Sequence, residues 1–139
     1  SQKQLRNARE ATKYVTDGIN DYHQGHYAAA VNSYDEALKL DPRNPYILNL
    51  KGYALFKERD YQDAIAALNS SVEMNPDYAW GYFDLARAQC AVQDFERARN
   101  SVSMAIEKAK ANGRDLRATM RADGEFTRLC APISNAYLK

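Results

Sequence analysis

Large apolar side chains lie on two sides of one predicted helix, in the segment YILNLKGYALF at residues 46–56. The segment has no proline, and successive side chains of a helix are rotated by about 100°. One side of the helix then carries Leu48, Gly52 and Leu55. The roughly opposite side carries Tyr46, Leu50, Tyr53 and Phe56. A surface helix ordinarily buries one apolar side, so we expect the second side to serve a further contact.

Small and apolar positions recur along the chain at one fixed interval, which we call the repeat period. The clearest columns hold small or aromatic residues: Gly18, Gly52 and Ala86; Tyr27, Tyr61 and Phe95; Ala30, Ala64 and Ala98. These columns define three copies of equal length at residues 11–44, 45–78 and 79–112. A fixed period of this length is typical of repeat architectures, in which stacked copies bury a shared core.

Each copy has the pattern of two helices separated by a short turn. The first helices are predicted at 11–24, 45–58 and 79–92, and the second at 28–40, 62–74 and 96–111. Pro42 and Pro76 follow the second helices of the first two copies, and proline cannot continue a helix. Lys110 takes the corresponding place in the third copy, so we expect that helix to continue to the glycine at 113.

The stretch ATKYVTDGINDYHQGHYAAAVNSYDEALKLDPRN and its two successors resemble tetratricopeptide repeats (TPRs) almost throughout. This resemblance implies an all-α fold, a right-handed superhelical stack of antiparallel helix hairpins known as a TPR solenoid. It also implies that the first helices line a concave groove that holds a segment of another protein. We therefore predict one TPR domain over residues 1–139, with C-terminal capping helices in 113–139.

The segment after the repeats predicts two short helices. Leu116 and Met120 suit the first, Asp123 suits an N-cap, and the second is expected to end near Pro132. The portion RADGEFTRL resembles the closing segment of many bacterial TPR arrays, which covers the last repeat. Residues 133–139 are expected to be mobile or to depend on a partner.

The composition excludes several classes of protein. The net charge of +1 argues against nucleic-acid binding, and no apolar run is long enough for membrane insertion. The charges are nevertheless uneven: residues 1–13 carry 4 basic and 1 acidic side chains, whereas residues 14–86 carry 5 basic and 11 acidic ones. The chain begins without a methionine, so we expect it to be part of a longer protein.

Catalytic and metal-binding patterns are not found in the sequence. His23 and His26 flank a turn without a cysteine nearby, which disfavours a metal site. Cys90 and Cys130 lack a nucleophile motif and are expected to be reduced thiols. We therefore predict no enzymatic activity, no cofactor and no metal, together with a cytoplasmic location.

The predicted groove residues are mainly aliphatic and aromatic, and they lie on the first helices of the copies. They are Val15, Ile19, Tyr22, Tyr46, Asn49, Leu50, Tyr53, Phe56, Trp80, Phe83, Asp84 and Arg87. TPR domains that grip the acidic tails of heat-shock chaperones use lysines, asparagines and an arginine. By that resemblance the matching positions here hold Val15, Ile19, Leu50, Trp80 and Asp84, none of which is a cation.

The predicted function is a protein–protein interaction module, a scaffold or adaptor that binds an apolar or amphipathic peptide or helix. Several alternatives remain open at this point. The groove can be filled by the chain's own termini, or the chain can self-associate through the groove or the C-terminal segment. The chain can also be a dedicated secretion-type chaperone holding a client segment, or a regulatory domain of a larger enzyme or receptor.

Overall fold

A computed structural model describes residues 1–138, except for the side chains of Ala136 and Tyr137. This part of the chain is all-helical and contains nine helices. They are α1 (Gln2–His23), α2 (Tyr27–Leu40), α3 (Pro45–Lys57), α4 (Tyr61–Met74), α5 (Ala79–Ala91), α6 (Phe95–Ala111), α7 (Leu116–Ala122), α8 (Gly124–Leu129) and α9 (Ala131–Tyr137). The helices from α2 to α6 agree with the predicted bounds within one residue at each end.

The first helix begins earlier than predicted. Its start is fixed by a capping box, because the Ser1 side chain accepts from the Gln4 N–H while the Gln4 side chain accepts from the N-terminal amine. These reciprocal bonds satisfy N–H groups that have no partner within the helix. The repeat period gave no sign of this extension, because residues 2–10 lie before the first copy.

The three short turns within the copies share one backbone geometry. Gly25, Arg59 and Gln93 occupy the same position in the three copies, and their φ angles are 79°, 67° and 62°. The residue after each turn donates its N–H to the carbonyl five positions earlier, as in a Schellman motif. Glycine adopts this left-handed conformation without strain, whereas the side chains at 59 and 93 adopt it at a cost of roughly 1–2 kcal/mol.

The chain divides into two compact units, Ser1–Met74 and Asn75–Lys139. In the first unit, α1 pairs with α2 and α3 pairs with α4, around a small-residue core that includes Ala30, Ala54 and the buried ring of Tyr34. Gly18 lies directly against Tyr34, and Gly52 lies against Leu68. The small column of the repeat therefore allows each first helix to approach its partner closely.

In the second unit, α5 pairs with α6, and the three short helices pack on this hairpin. Each short helix buries at least one apolar side chain fully or almost fully: Leu116 and Met120 in α7, Phe126 in α8 and Ile133 in α9. The predicted helix over Leu116 and Met120 and the N-cap at Asp123 are confirmed.

The expectation that residues 133–139 are mobile is wrong for the part that the structure describes. Residues 131–137 form α9, Ile133 and Leu138 are fully buried, and Arg121 Nη1 donates to the Leu138 carbonyl at 2.8 Å. Pro132 lies in the first turn of α9, where its missing N–H costs nothing, so it starts a helix rather than ending one. Lys139 lies outside the described residues.

Candidate binding site

The first unit carries an apolar face formed by α1 and α3. Four of its side chains are half-buried, with one side packed against the core and the other accessible: Val15, Ile19, Tyr22 and Leu50. Tyr46 is 53% exposed and shares a side of α3 with Leu50 and Tyr53. We call these six residues the α1–α3 face.

Aromatic rings connect the two helices of this face. The centroids of the Tyr22 and Tyr53 rings are 5.9 Å apart, and the Tyr53 ring stacks on Phe56 at 5.7 Å. Such ring pairs contribute about 0.5–1.5 kcal/mol beyond the burial of their area. Lys57 Nζ lies 5.4 Å from the centroid of the Tyr53 ring, so the chain of rings has a cation at its edge. The rings of Tyr22, Tyr53 and Phe56 therefore form a continuous series of contacts from α1 to α3.

Burial raises the pKa of two tyrosines of the first unit, Tyr34 in the core and Tyr22 on the α1–α3 face. Burial, followed by the neighbouring hydroxyls of Tyr46 and Tyr22 and the Asp21 carboxylate, raises the pKa of Tyr34 to about 12. Burial and the neighbouring Tyr53 also raise the pKa of Tyr22, although Lys57 opposes this shift. The α1–α3 face therefore presents apolar surface together with the neutral hydroxyl of Tyr22, which suits a segment with apolar anchors and few charges.

Two predicted groove residues of the first unit are buried. Phe56 lies between the rings of Tyr53 and Tyr61, and Asn49 is also inaccessible. Both side chains support the packing of α3 and do not offer a docking surface. The helical period placed them near the accessible side, but it could not show how closely the neighbouring helices approach.

In the second unit, two of the predicted groove residues of α5, Phe83 and Arg87, contact the chain's own C-terminal segment. The Phe83 ring is fully buried, stacks with the Trp80 indole at 5.5 Å, and meets the edge of the Phe126 ring at 5.1 Å. Trp80 is half-buried, and it is the member of this set with the most accessible ring. The prediction that Phe83 lines an open groove is therefore wrong, because α8 covers it.

Arg87 is a buried cation that joins α5 to α8. Its guanidinium lies 2.8 Å from Asp123, 3.3 Å from Glu125 and 3.6 Å from Asp84, and it stacks on the Phe83 ring at 4.2 Å. Arg87 was predicted to line the groove, but it is a structural residue instead. Asp123 caps α8 and Glu125 lies in its first turn, both far along the chain from Arg87, so no local pattern indicated this cluster.

The Asp123 carboxyl has two roles in this cluster. It accepts the Phe126 N–H at 2.9 Å as the N-cap of α8, and it pairs with Arg87. Burial disfavours its ionised form, but the Phe126 N–H and the Arg87 guanidinium outweigh that effect and hold the pKa of Asp123 below its ordinary value. The folded state therefore stabilises the carboxylate.

A disulfide bond also joins α5 to the C-terminal segment. Cys90 and Cys130 are paired with their Cα atoms 5.3 Å apart, and both residues are buried. The expectation of two reduced thiols is therefore wrong. Cys90 follows Phe83 and Arg87 on one side of α5, so this side of α5 contacts the C-terminal segment through a ring pair, an ion-pair cluster and a covalent bond.

The described residues contain no cluster of three or more histidine, cysteine or acidic side chains able to hold a metal ion. Within the same part of the chain, no helix is both long enough and apolar enough to cross a membrane.

Comparison with known families identifies the repeat. A family model described as a tetratricopeptide repeat matches residues 18–79, and a second model with the same description matches residues 55–122. The chain belongs to the tetratricopeptide-repeat family. The resemblance drawn from the repeat period and the prediction of an all-α TPR fold are confirmed.

Individual TPR proteins show the same relationship. The chain is 27% identical over 101 residues to the protein STIP1 homolog of Dictyostelium discoideum, covering 73% of this chain and 18% of that protein. The TPR2B domain of yeast Sti1, solved as a complex with pHsp70, superposes with a TM-score of 0.79 at 24% identity and covers 91% of this chain and 98% of that chain.

A second TPR structure was solved with a short peptide. The first TPR of Spaghetti (RPAP3), bound to the HSP90 peptide SRMEEVD, has a TM-score of 0.68 at 24% identity and covers 100% of this chain and 96% of that chain. At this level of identity, the likeness shows the fold alone. The chain spans between 14% and 42% of the length of eight curated relatives, so the activity of those whole proteins does not transfer directly.

Proposed function

We propose that this TPR chain is a protein–protein interaction module, a scaffold or adaptor that binds an apolar or amphipathic peptide segment on its α1–α3 face. The observation that carries the proposal is the exposed Tyr46 ring beside the half-buried Tyr22, Leu50 and Tyr53. TPR repeats form extended binding surfaces, and aromatic side chains often dominate such interfaces. The proposed action is binding rather than catalysis.

The chemistry of the face favours apolar anchors over an acidic tail. The TPR complexes with pHsp70 and with the HSP90 peptide SRMEEVD make a heat-shock tail the natural competing ligand. Within the first unit, however, the positions that match the acidic-tail clamp hold Val15, Ile19 and Leu50, which have no donor for a carboxylate. We therefore propose that the preferred segment inserts leucine-like or aromatic side chains.

Two predictions from the sequence stay predictions. The first is that residues 1–139 act as one domain. The second is the cytoplasmic location, against which the Cys90–Cys130 disulfide weighs, because disulfides are rare in reducing compartments. Rapid thiol alkylation of protein taken directly from its source cell distinguishes a reducing from an oxidising compartment. Alkylation at both cysteines supports a reducing compartment, and protection of both cysteines opposes it.

A site-specific crosslink tests the proposed face. A photo-reactive phenylalanine analogue is placed at Tyr46 in one variant and at Tyr14 in a matched control, since Tyr14 is also an exposed tyrosine of the first unit but lies outside the face. We expect light-dependent adducts with one defined partner from the Tyr46 variant and not from the control. Equal labelling from both positions would show that the α1–α3 face is not the binding site.

A further inference from the structure

The first unit has a second concave surface on the side formed by α2 and α4. Its floor is a stripe of α3 that includes Leu48, Lys51 and Leu55. Its walls are side chains of α2 and α4, many of them small: Ala28, Val31, Asn32, Asp35, Asp63, Ala66, Ala67 and Ser70. The small residues leave a cleft of about 630 Å³. We call it the α2–α4 cleft, and none of the predicted groove residues lines it.

The rim of the α2–α4 cleft is acidic. Glu58, Asp60 and Asp63 line it, and none of them forms an ion pair within the part of the chain that the structure describes. Lys51 also lines it, but this amine pairs with Asp35 at 2.7 Å, so the remaining charge of the cleft is negative. An apolar floor with an acidic rim is complementary to a helix that carries basic residues beside an apolar side chain.

The beginning of α1 has this composition. The residues at 2–10 precede the first buried residue of the helix, Ala11, and Leu5 is 64% exposed. The cations Lys3, Arg6, Arg9 and Lys13 recur at intervals of three or four positions, so they form one stripe along the helix. We call residues 2–13 the basic arm.

The dimensions of the arm and the cleft agree. At about 1.5 Å per residue, the arm from Lys3 to Lys13 is about 15 Å long, and the α3 stripe from Leu48 to Glu58 has the same length of about 15 Å. The arm cannot reach the cleft of its own molecule, because it continues without a break into α1, which is fixed against α2 from Ala11 onward. A complementary occupant must therefore come from another molecule.

We propose that the occupant is the basic arm of a second copy of this chain. Leu5 of the incoming arm lies over Leu48 and Leu55, and its cations pair with the carboxylates of Glu58, Asp60 and Asp63. The contact buries an apolar side chain that is otherwise in water and joins two surfaces of opposite charge. The self-association is salt-sensitive, because the ion pairs form at the rim of the cleft.

Charge reversal on each surface tests the proposal by analytical ultracentrifugation. We expect the wild-type chain to form a dimer or a larger assembly that weakens as the salt concentration rises. The pair Arg6→Glu and Arg9→Glu should weaken self-association by about tenfold or more, because two attractive contacts become repulsive. Glutamate forms helices about as readily as arginine, so these substitutions preserve α1.

A complementary reversal distinguishes a specific contact from a general charge effect. Asp60→Lys with Asp63→Lys should weaken self-association alone and should restore it when mixed with the arm variant. The control is Arg99→Glu with Lys110→Glu, which reverses two exposed cations of the second unit and should change nothing.

Three results would overturn the proposal. They are a wild type that stays monomeric at all concentrations, an arm variant that associates like wild type, or a mixture of the arm variant and the cleft variant that does not regain self-association. In the first case, binding of a labelled lysine- and arginine-rich peptide would assign the cleft to a foreign basic segment.

Discussion

Replacing Arg87 by methionine should destabilise the second unit far more than the loss of an ordinary surface ion pair. The Arg87 side chain is 9% exposed and lies against three carboxylates, whereas methionine fills a similar volume without a charge. The substitution leaves Asp123, Glu125 and Asp84 close together without their shared cation. Like charges in a partly buried site repel and lose solvation at the same time.

We expect an effect of about 3 kcal/mol, because removing one partner of a buried ion pair typically costs about 3–5 kcal/mol. The side chains of Asp123 and Glu125 are 24% and 28% exposed, so water relieves part of the repulsion and the lower end of the range applies. The matched control is Arg97→Met, because Arg97 pairs with Asp94 at 2.7 Å but is 76% exposed. Exposed ion pairs contribute little to stability, so the control should cost only a small fraction of the loss at Arg87.

Urea unfolding followed by tryptophan fluorescence measures this difference. Trp80 is the only tryptophan in the sequence, and it stacks on Phe83, whose ring also contacts Arg87, so its emission reports on the second unit. Adding Asp123→Asn and Glu125→Gln to Arg87→Met should restore part of the lost stability, because the repelling charges are removed. Equal losses from Arg87→Met and Arg97→Met would refute the assignment of Arg87 as a structural cation.

Three further predictions test local features. Arg59→Gly should raise the free energy of unfolding by about 0.5–1 kcal/mol, because glycine removes the strain of a positive φ. The control Glu58→Gly, at the neighbouring position, should lower the free energy of unfolding. Thermal melts by circular dichroism in which Glu58→Gly is more stable than Arg59→Gly would contradict this. Gly52→Ala should cost about 1–3 kcal/mol, because the new Cβ would lie 2.5 Å from Leu68 Cγ, and an unchanged melt would show that the helices can separate freely. The lowered pKa of Asp123 stabilises the folded state above the ordinary pKa of 3.8, and this stabilisation is lost as the pH falls through the folded-state pKa. Asp123→Asn should therefore remove this part of the loss of stability in acid. A variant whose stability depends on pH as the wild type's does would contradict the role of Asp123.

The fold was predictable because its determinants are local and repeated. Each turn, each small residue such as Gly52 and each proline stop appears at a fixed spacing, and helix hairpins depend on contacts that are close in sequence. The early start of α1 and the course of α9 were not predictable in this way. They depend on a single capping box and on the burial of Ile133 and Leu138, neither of which repeats.

The candidate site was only partly predictable for the same reason. The helical period placed Gly52 and Tyr46 on different sides of α3, and in the structure Gly52 packs against Leu68 while Tyr46 is exposed. Phe56, which the period placed with Tyr46, is buried. It could not show that α8 would cover Phe83 and Arg87, because that contact joins segments far apart in sequence through Phe126, an ion-pair cluster and a disulfide. Long-range contacts of this kind are not encoded in a local pattern.

The most direct test of the account is the binding of a labelled amphipathic helical peptide, with leucines at alternating intervals of three and four positions, measured by fluorescence anisotropy. We predict roughly micromolar binding to the wild-type chain, and a loss of about tenfold or more in Tyr46→Ala, because one buried anchor contributes about 1.5–3 kcal/mol. The Tyr14→Ala control should bind like wild type, and the peptide SRMEEVD should not compete. Equal affinities for Tyr46→Ala and the control, or strong competition by SRMEEVD, would contradict binding through the α1–α3 face.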